Sequence, residues 1–264
     1  MIVEQIWTGN SLRNFHYLIA CHESGEALVI DPFDYQKCLD RADENGWSIT
    51  QILNTHEHRD HTGGNAAMIE ATGASLLAHA QAGARISGID RGLSAGDVVR
   101  IGKTVELLVL DTPGHTMSHI CLLAKTQIPA LFSGDTLFAA GAGNCGSGGD
   151  PVALFQTFTT QLAELPDEIS VYPGHDYIVN NLGFTVDREP DNQDAVELLS
   201  DLKQSYDANQ PRVTTLGLER KINTFFRLNS KTLIRNLRAS FPEMPMEPSR
   251  QEVFVALREL RNHW

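Results

Sequence analysis

Short apolar runs separated by polar and glycine-containing turns dominate the first two thirds of the chain. Residues 15–19 and 27–30 have strand length and such boundaries, with Asp31-Pro32 closing the second. Residues 35–45 carry a helical pattern that stops at Gly46, and 49–53 read as the next strand, so the chain opens strand, helix, strand. A helix is expected over 65–72, just past Gly63-Gly64, then a small strand over 75–78 ending in His79. Residues 96–111 are strand-rich, and apolar runs recur at 120–123 and 130–132. Beyond His175 the period changes. Ala195, Leu198, Leu199, Leu202 and Tyr206 fall on one helix face, as do Val253, Leu257, Leu260 and Trp264, with Pro211, Gly217 and residues 242–248 marking connections. The pattern predicts an α/β region followed by a smaller helical one.

The polar positions that interrupt this pattern carry the chemistry. Thr55-His56-Glu57-His58-Arg59-Asp60-His61 directly follows the apolar pair Ile52-Leu53. Clustered polar groups resist burial unless something binds them, which points to a metal-binding loop. A strand ending here presents His56 and His58 on one side, because alternate residues share a face. A turn then aims Asp60 and His61 at a neighbouring point, so two adjacent metal sites become available. Imidazole and carboxylate together suit zinc, iron or manganese, and the lack of thiolates argues against a closed structural zinc site.

The same placement recurs at later strand ends. His115 sits in a Pro-Gly turn after the run 105–110, Asp135 follows the run 130–134, and His175 follows Pro173-Gly174. A carboxylate at Asp135 can bridge two cations. Four strand-end loops that each carry a ligand-type residue describe one site rather than scattered surface histidines. His119 is expected to be buried and hydrogen-bonded in support of that site, and His79 to be structural or exposed. Asp31 is either an acceptor for a ligand histidine or a turn former before Pro32.

At 264 residues the chain can bury a full core, as one large domain or a domain with an appendage. A formal net charge of -12 gives no general pull toward phosphate backbones, so nucleic acid is not an expected partner. No run of about 18 apolar residues is present, and MIVEQIWTGN has no basic segment leading into an apolar one, so neither a membrane span nor a secretory signal is expected. Cys21, Cys38, Cys121 and Cys145 are scattered without a C-x-x-C pair, which suits free thiols and a cytoplasmic location.

THEHRDHTGGN, PGHT, SGDTLF and PGHDY, in this order over roughly residues 10 to 180, resemble the metallo-β-lactamase superfamily. Within it the chain is most similar to glyoxalase II, the hydroxyacylglutathione hydrolases, because the likeness continues through GHDYIVNNLGFTVDREPDN, LGLERKINTFFR and the terminal LRELRNHW. The resemblance implies an αββα sandwich with metals at one edge over residues 1–175 and a small helical substrate-binding domain over 176–264. It implies a first divalent metal held by His56, His58 and His115, a second held by Asp60, His61 and His175, and Asp135 bridging. Zinc is expected, with iron and manganese compatible. Asp60 and Asp135 are then catalytic through a hydroxide shared by the two metals, which serves as the nucleophile. The implied substrate is a glutathione-derived thioester, S-2-hydroxyacylglutathione, split into a 2-hydroxy acid and glutathione.

Tyr177, Arg258 and Arg261 match the family's substrate-contact positions, and an arginine fork suits a carboxylate. The loop after the bridging aspartate departs from the pattern. Family members usually carry a basic residue and aromatics there, whereas residues 141–149 read GAGNCGSGG, so Asn144 stands at the basic position as the remaining substrate-contact candidate. Cys145 in that loop is either a reactive thiol or a small packing residue. The glycine run is no phosphate cradle, since no Lys-Ser/Thr follows it. Rival readings on the same fold are a persulfide dioxygenase with one iron, which resembles a shorter chain, and a lactonase or other metallohydrolase. A β-lactamase is disfavoured, since such enzymes often carry a cysteine at the position of Asp135. A non-enzymatic thiol-binding module would bind glutathione without turnover.

Overall fold

The computed structural model describes residues 1–264, which divide into two compact units. The first comprises residues 1–112, 118–134 and 172–175, and the second residues 113–117, 135–171 and 176–264.

In the first unit, β1 (Ile2–Trp7), β2 (Phe15–Ala20), β3 (Glu26–Ile30), β4 (Ser48–Leu53), β5 (Ser75–His79) and β6 (Arg91–Leu93) form one sheet in that order. β1 to β3 pair antiparallel, and β3 to β6 pair parallel. A second sheet contains the antiparallel meander β7 (Val98–Ile101), β8 (Val105–Asp111), β9 (Ile120–Ala124) and β10 (Ala130–Gly134). Side chains alternate faces along each strand, so Phe15, Tyr17 and Ile19 of β2 join Val105, Leu107 and Val109 of β8 in one core between the sheets. Leu18 and Val29 point the other way, toward Cys38 and Ala42 of α1 (Tyr35–Asn45) and Met68 of α3 (Asn65–Thr72). Helix α1 starts where Asp34 caps the Lys37 N–H and stops where Gly46 turns left-handed at φ 69°. The histidine loop differs from its expected strand geometry. β4 ends at Leu53, so His56 and His58 are presented by a loop leading into the four-residue helix α2 (Arg59–Thr62), not by alternation along a strand.

The second unit holds a two-residue hairpin, β11 (Leu137–Phe138) with β12 (Gly141–Ala142), and helix α4 (Pro151–Thr160). Ser170 and Val171 of β13 (Ser170–Pro173) pair there with β14 (Thr214–Thr215). Five helices follow or flank these strands: α5 (Ile178–Arg188), α6 (Gln193–Ser205), α7 (Leu216–Ile222), α8 (Lys231–Ser240) and α9 (Arg250–Asn262). Ala139, Ala140, Ile178, Leu182, Ala195, Leu199, Leu202 and Ile222 form one core, and Phe158, Phe225 and Phe254 stack edge to face or tilted. Helix starts are written in the side chains: Asp150, Asn192, Thr215 and Ser230 each cap an N–H, and Ser249 with Glu252 forms a capping box. Gly217, read from sequence as a connection, lies inside α7, and Trp264 is 46% exposed beyond the end of α9. No helix is long and apolar enough to cross a membrane.

Two outcomes test this packing. A Cβ on Gly64 would lie 1.8 Å from the Pro32 carbonyl oxygen, so Gly64→Ala must push the histidine loop off the Pro32-Phe33 backbone. The expected loss is about 3 kcal/mol, read as a lower urea midpoint with an unchanged slope. Glu219 of α7 is fully buried, and burial pushes its carboxyl from 4.5 up to about 7. The folded state therefore binds this proton more tightly than the unfolded chain. Stability from the group is complete below pH 4.5 and is lost as pH rises through about 7. The loss is on the order of 3 kcal/mol, and Glu219→Gln should flatten that part of a stability-versus-pH curve.

Candidate metal centre

Adjacent parallel strands β3 and β4 end side by side, which brings the segments beyond their C-terminal ends together. Asp31, in a left-handed conformation (φ 52°) and 2% exposed, follows β3. Its Oδ1 accepts from the Thr55 N–H at 2.8 Å and its Oδ2 from the Thr55 hydroxyl at 2.7 Å. His61 Nδ1 lies 3.0 Å from the same Oδ2. An ionised carboxylate only accepts, so His61 carries its proton on Nδ1 and its lone pair on Nε2. The Thr55 hydroxyl, having given its proton to Asp31, accepts from His56 Nδ1 at 3.0 Å, which leaves the His56 lone pair on Nε2 as well. His175 donates from Nδ1 to the Leu12 carbonyl at 2.7 Å. Its backbone is held in the same unit by Phe15 N–H to Gly174 O and Gly174 N–H to Gly134 O, both 2.8 Å.

The lone pairs converge. His61 Nε2 and His175 Nε2 are 3.2 Å apart, and Asp60 Oδ2 is 3.4 Å from each. The ligand atoms of these three residues all lie within 4.8 Å of one another. Two nitrogen lone pairs and a carboxylate oxygen in such proximity repel unless a cation lies among them, so this set fits a divalent metal. Asn14 fixes the carboxylate by donating to Asp60 Oδ2 at 3.0 Å, a role with no signal in one sequence. His56 Nε2 lies 3.1 Å from His58 Nδ1, which pairs two more imidazole nitrogens. His119 is buried, bonds Thr112 Oγ1 at 2.9 Å and stacks on His56 with ring centres 5.2 Å apart. His79 is buried with its Nε2 3.4 Å from Asp111. The Glu57 carboxylate is engaged by Arg85 and by the Ser118 hydroxyl at 2.8 Å.

In the second unit, His115 and Asp135 form a buried pair with His115 Nε2 3.5 Å from Asp135 Oδ2. His115 Nδ1 donates to the Asn144 carbonyl at 2.6 Å, so the same tautomer logic leaves its lone pair on Nε2, facing the carboxylate. Two glycines of the loop permit this approach. A Cβ on Gly143 would lie 1.9 Å from Asp135 O, and one on Gly149 would lie 2.1 Å from Gly114 O. Cys145, half-buried in the loop, has its thiol pushed up to about 11 by burial, which suits a packing residue and not a nucleophile.

The same unit has an open cavity of about 490 Å³ bordered by Phe138, Asn144, Tyr177, Asn181, Arg258 and Arg261. All four candidate substrate contacts thus line one space. Arg258 is 4% exposed and donates to the Ala142 and Gly143 carbonyls at 2.7 and 3.1 Å. Burial lowers its guanidinium to about 10, which still leaves a cation at neutral pH. Arg261 donates to Asn181 Oδ1 at 3.2 Å and lies over the Trp264 ring. A polar cavity with two guanidinium groups suits a ligand bearing carboxylates.

Residues 14–175 match the metallo-beta-lactamase superfamily, and residues 176–264 match the hydroxyacylglutathione hydrolase C-terminus. Proteins named hydroxyacylglutathione hydrolase from Nitrosococcus oceani and Polaromonas sp. are 62% and 63% identical over 264 residues, covering 100% of this chain and of each relative. Among solved structures, ETHE1 from Myxococcus xanthus is similar with a TM-score of 0.69 and 25% identity, over 99% of this chain and 98% of that one. Two β-sheets, histidine and aspartate clusters at their strand ends, and a helical C-terminal region make this the α/β metallo-β-lactamase fold. The chain belongs to the hydroxyacylglutathione hydrolases of the metallo-β-lactamase superfamily.

Proposed function

We propose that this chain hydrolyses S-2-hydroxyacylglutathione to a 2-hydroxy acid and glutathione at a centre of two divalent metals. The observation that carries the reading is the convergence of Nε2 lone pairs on Asp60, each fixed by an acceptor at the opposite ring nitrogen. His56, His58 and His115 are assigned to one metal, Asp60, His61 and His175 to the other, and Asp135 to the bridge. Motif order and the Nδ1–H tautomer of His56, His61, His115 and His175 support that assignment. An imidazole and carboxylate set without thiolate suits zinc, with iron and manganese compatible. When bound, such cations supply Lewis acidity for the thioester carbonyl and an activated water.

The chain's own residues do the positioning. Asp31 and the Leu12 and Asn144 carbonyls keep ligand nitrogens deprotonated on the working side, and Asn14 steadies Asp60. Residues 1–175 form the catalytic domain in this reading, and 176–264 bind the thiol tripeptide. Arg258 and Arg261 offer charge to its carboxylates, while Tyr177 and Asn144 border the same cavity. A small-molecule thioester is the partner, with no nucleic acid or membrane, and the location is cytoplasmic. The net charge of -12 and the free cysteines support this.

Metal-replete protein should carry two divalent ions per chain and turn over S-lactoylglutathione, with activity abolished by chelation and by Asp135→Ala. Absence of turnover, or one iron per chain with oxygen consumption, overturns the reading. Asp31→Asn places an amide N–H against His61 Nδ1 and drives the ring proton to Nε2. The expected result is a roughly 10–100-fold loss of metal affinity in chelator competition.

A further inference from the structure

We propose that Glu219 of α7 and Asn223 at its C-terminal cap are positioning residues that set the tautomer of His115 by gripping the backbone between Asp135 and Asn144. This rests on the reading of His115 as a metal ligand. Within the segment β11 and β12 pair over only two residues each, and Gly143 N–H bonds Thr136 O at 3.3 Å. Other backbone polar groups of the segment are taken one after another by side chains of the helices. Asn181 donates to Ala139 O at 2.9 Å, Glu219 Oε2 accepts from Ala140 N–H at 2.9 Å, and Asn223 donates to Gly141 O at 3.0 Å. Arg258 takes the next two carbonyls, those of Ala142 and Gly143. Asn223 also donates to Glu219 Oε2 at 2.9 Å, so the two act as one unit. Both are fully buried.

Ala140 adopts φ 56°, a conformation that non-glycine residues keep only when their surroundings over-determine it. The Glu219 carboxyl that accepts its N–H, with Asn181 and Asn223 on the flanking carbonyls, supplies such surroundings. Three residues on, Gly143 lies against Asp135 O and His115 Nδ1, and Asn144 O takes the His115 proton. A shift of the segment therefore removes the acceptor that keeps the His115 lone pair on Nε2. A wall that only shaped the substrate cavity would have no such consequence.

The test reads the histidine in metal-free protein. In 15N-histidine NMR spectra the wild type should show His115 protonated on Nδ1, whereas Glu219→Ala should show mixed tautomers. Zinc affinity by chelator competition should fall about 10–100-fold, and kcat should fall while KM stays constant. Glu219→Gln keeps an acceptor for the Ala140 N–H and should restore the wild-type tautomer. A folded Glu219→Ala with wild-type tautomer and zinc affinity, or a rise in KM alone, overturns the proposal, as does failure of Glu219→Gln to restore the tautomer. Asn223→Ala, which removes one carbonyl contact, carries the same test where Glu219→Ala does not fold. If wild-type protein fails to hydrolyse S-lactoylglutathione, the functional reading fails, while the tautomer and zinc measurements still decide this one.

Discussion

The placement of single protons on imidazole rings is the constraint on which the rest depends. A neutral histidine offers a metal only the nitrogen that lacks a proton, so each ligand ring needs an acceptor at the other nitrogen. Asp31 supplies that acceptor for His61 directly and for His56 through Thr55. A buried carboxylate is costly unless fully hydrogen-bonded, and three donors on its two oxygens offset that cost. The geometry is a consequence of topology. Ile30 pairs with Leu53 in parallel register, and Asp31 N–H bonds Leu53 O at 2.9 Å, so the residues just beyond each strand end are neighbours. Parallel neighbours require a crossover, and α1 is that crossover.

His115 solves the same problem with different material. Its acceptor is a carbonyl in an irregular loop, where no sheet register fixes it. Regular structure satisfies backbone groups internally, but a loop that approaches a buried pair this closely must find partners elsewhere. Asn181, Glu219, Asn223 and Arg258 provide them. One proton position is thus set by strand pairing and another by side chains reading a backbone.

The proposed metal ligands stand out along the chain because their polarity contradicts the apolar runs they follow, and helices 35–45 and 65–72 because glycines stop or precede them. Asp31 illustrates the limit. Turn former and histidine acceptor look like alternatives along the chain, yet the left-handed φ that makes the turn is what aims the carboxylate at Thr55 and His61. Arg258 is a second case. On a helix near a chain end it reads as a solvated or substrate-facing cation, and only the tertiary approach of residues 142–143 shows it buried against carbonyls. Gly217 resembles a connection, but its N–H bonds Asp167 O at 2.9 Å and its Cα lies so close to Asp167 that a Cβ would meet that side chain at 3.0 Å. Strand β1 carries only one buried residue, Ile6, so its apolar alternation is weak.

Asn144 joins the two halves of the chemistry in one residue. Its carbonyl receives the His115 proton, while its side chain borders the cavity and accepts from the Gly146 N–H at 3.2 Å, closing its own turn. This amide folds back on its own loop. Positive charge in the cavity then comes from Arg258 and Arg261 on one face of α9. Arg258 has given N–H groups to two carbonyls and another to Asn262, whereas Arg261 is held through the amide oxygen of Asn181. In the proposed reading a carboxylate-bearing ligand in this cavity is oriented by α9, with Arg258 and Arg261 both offering charge.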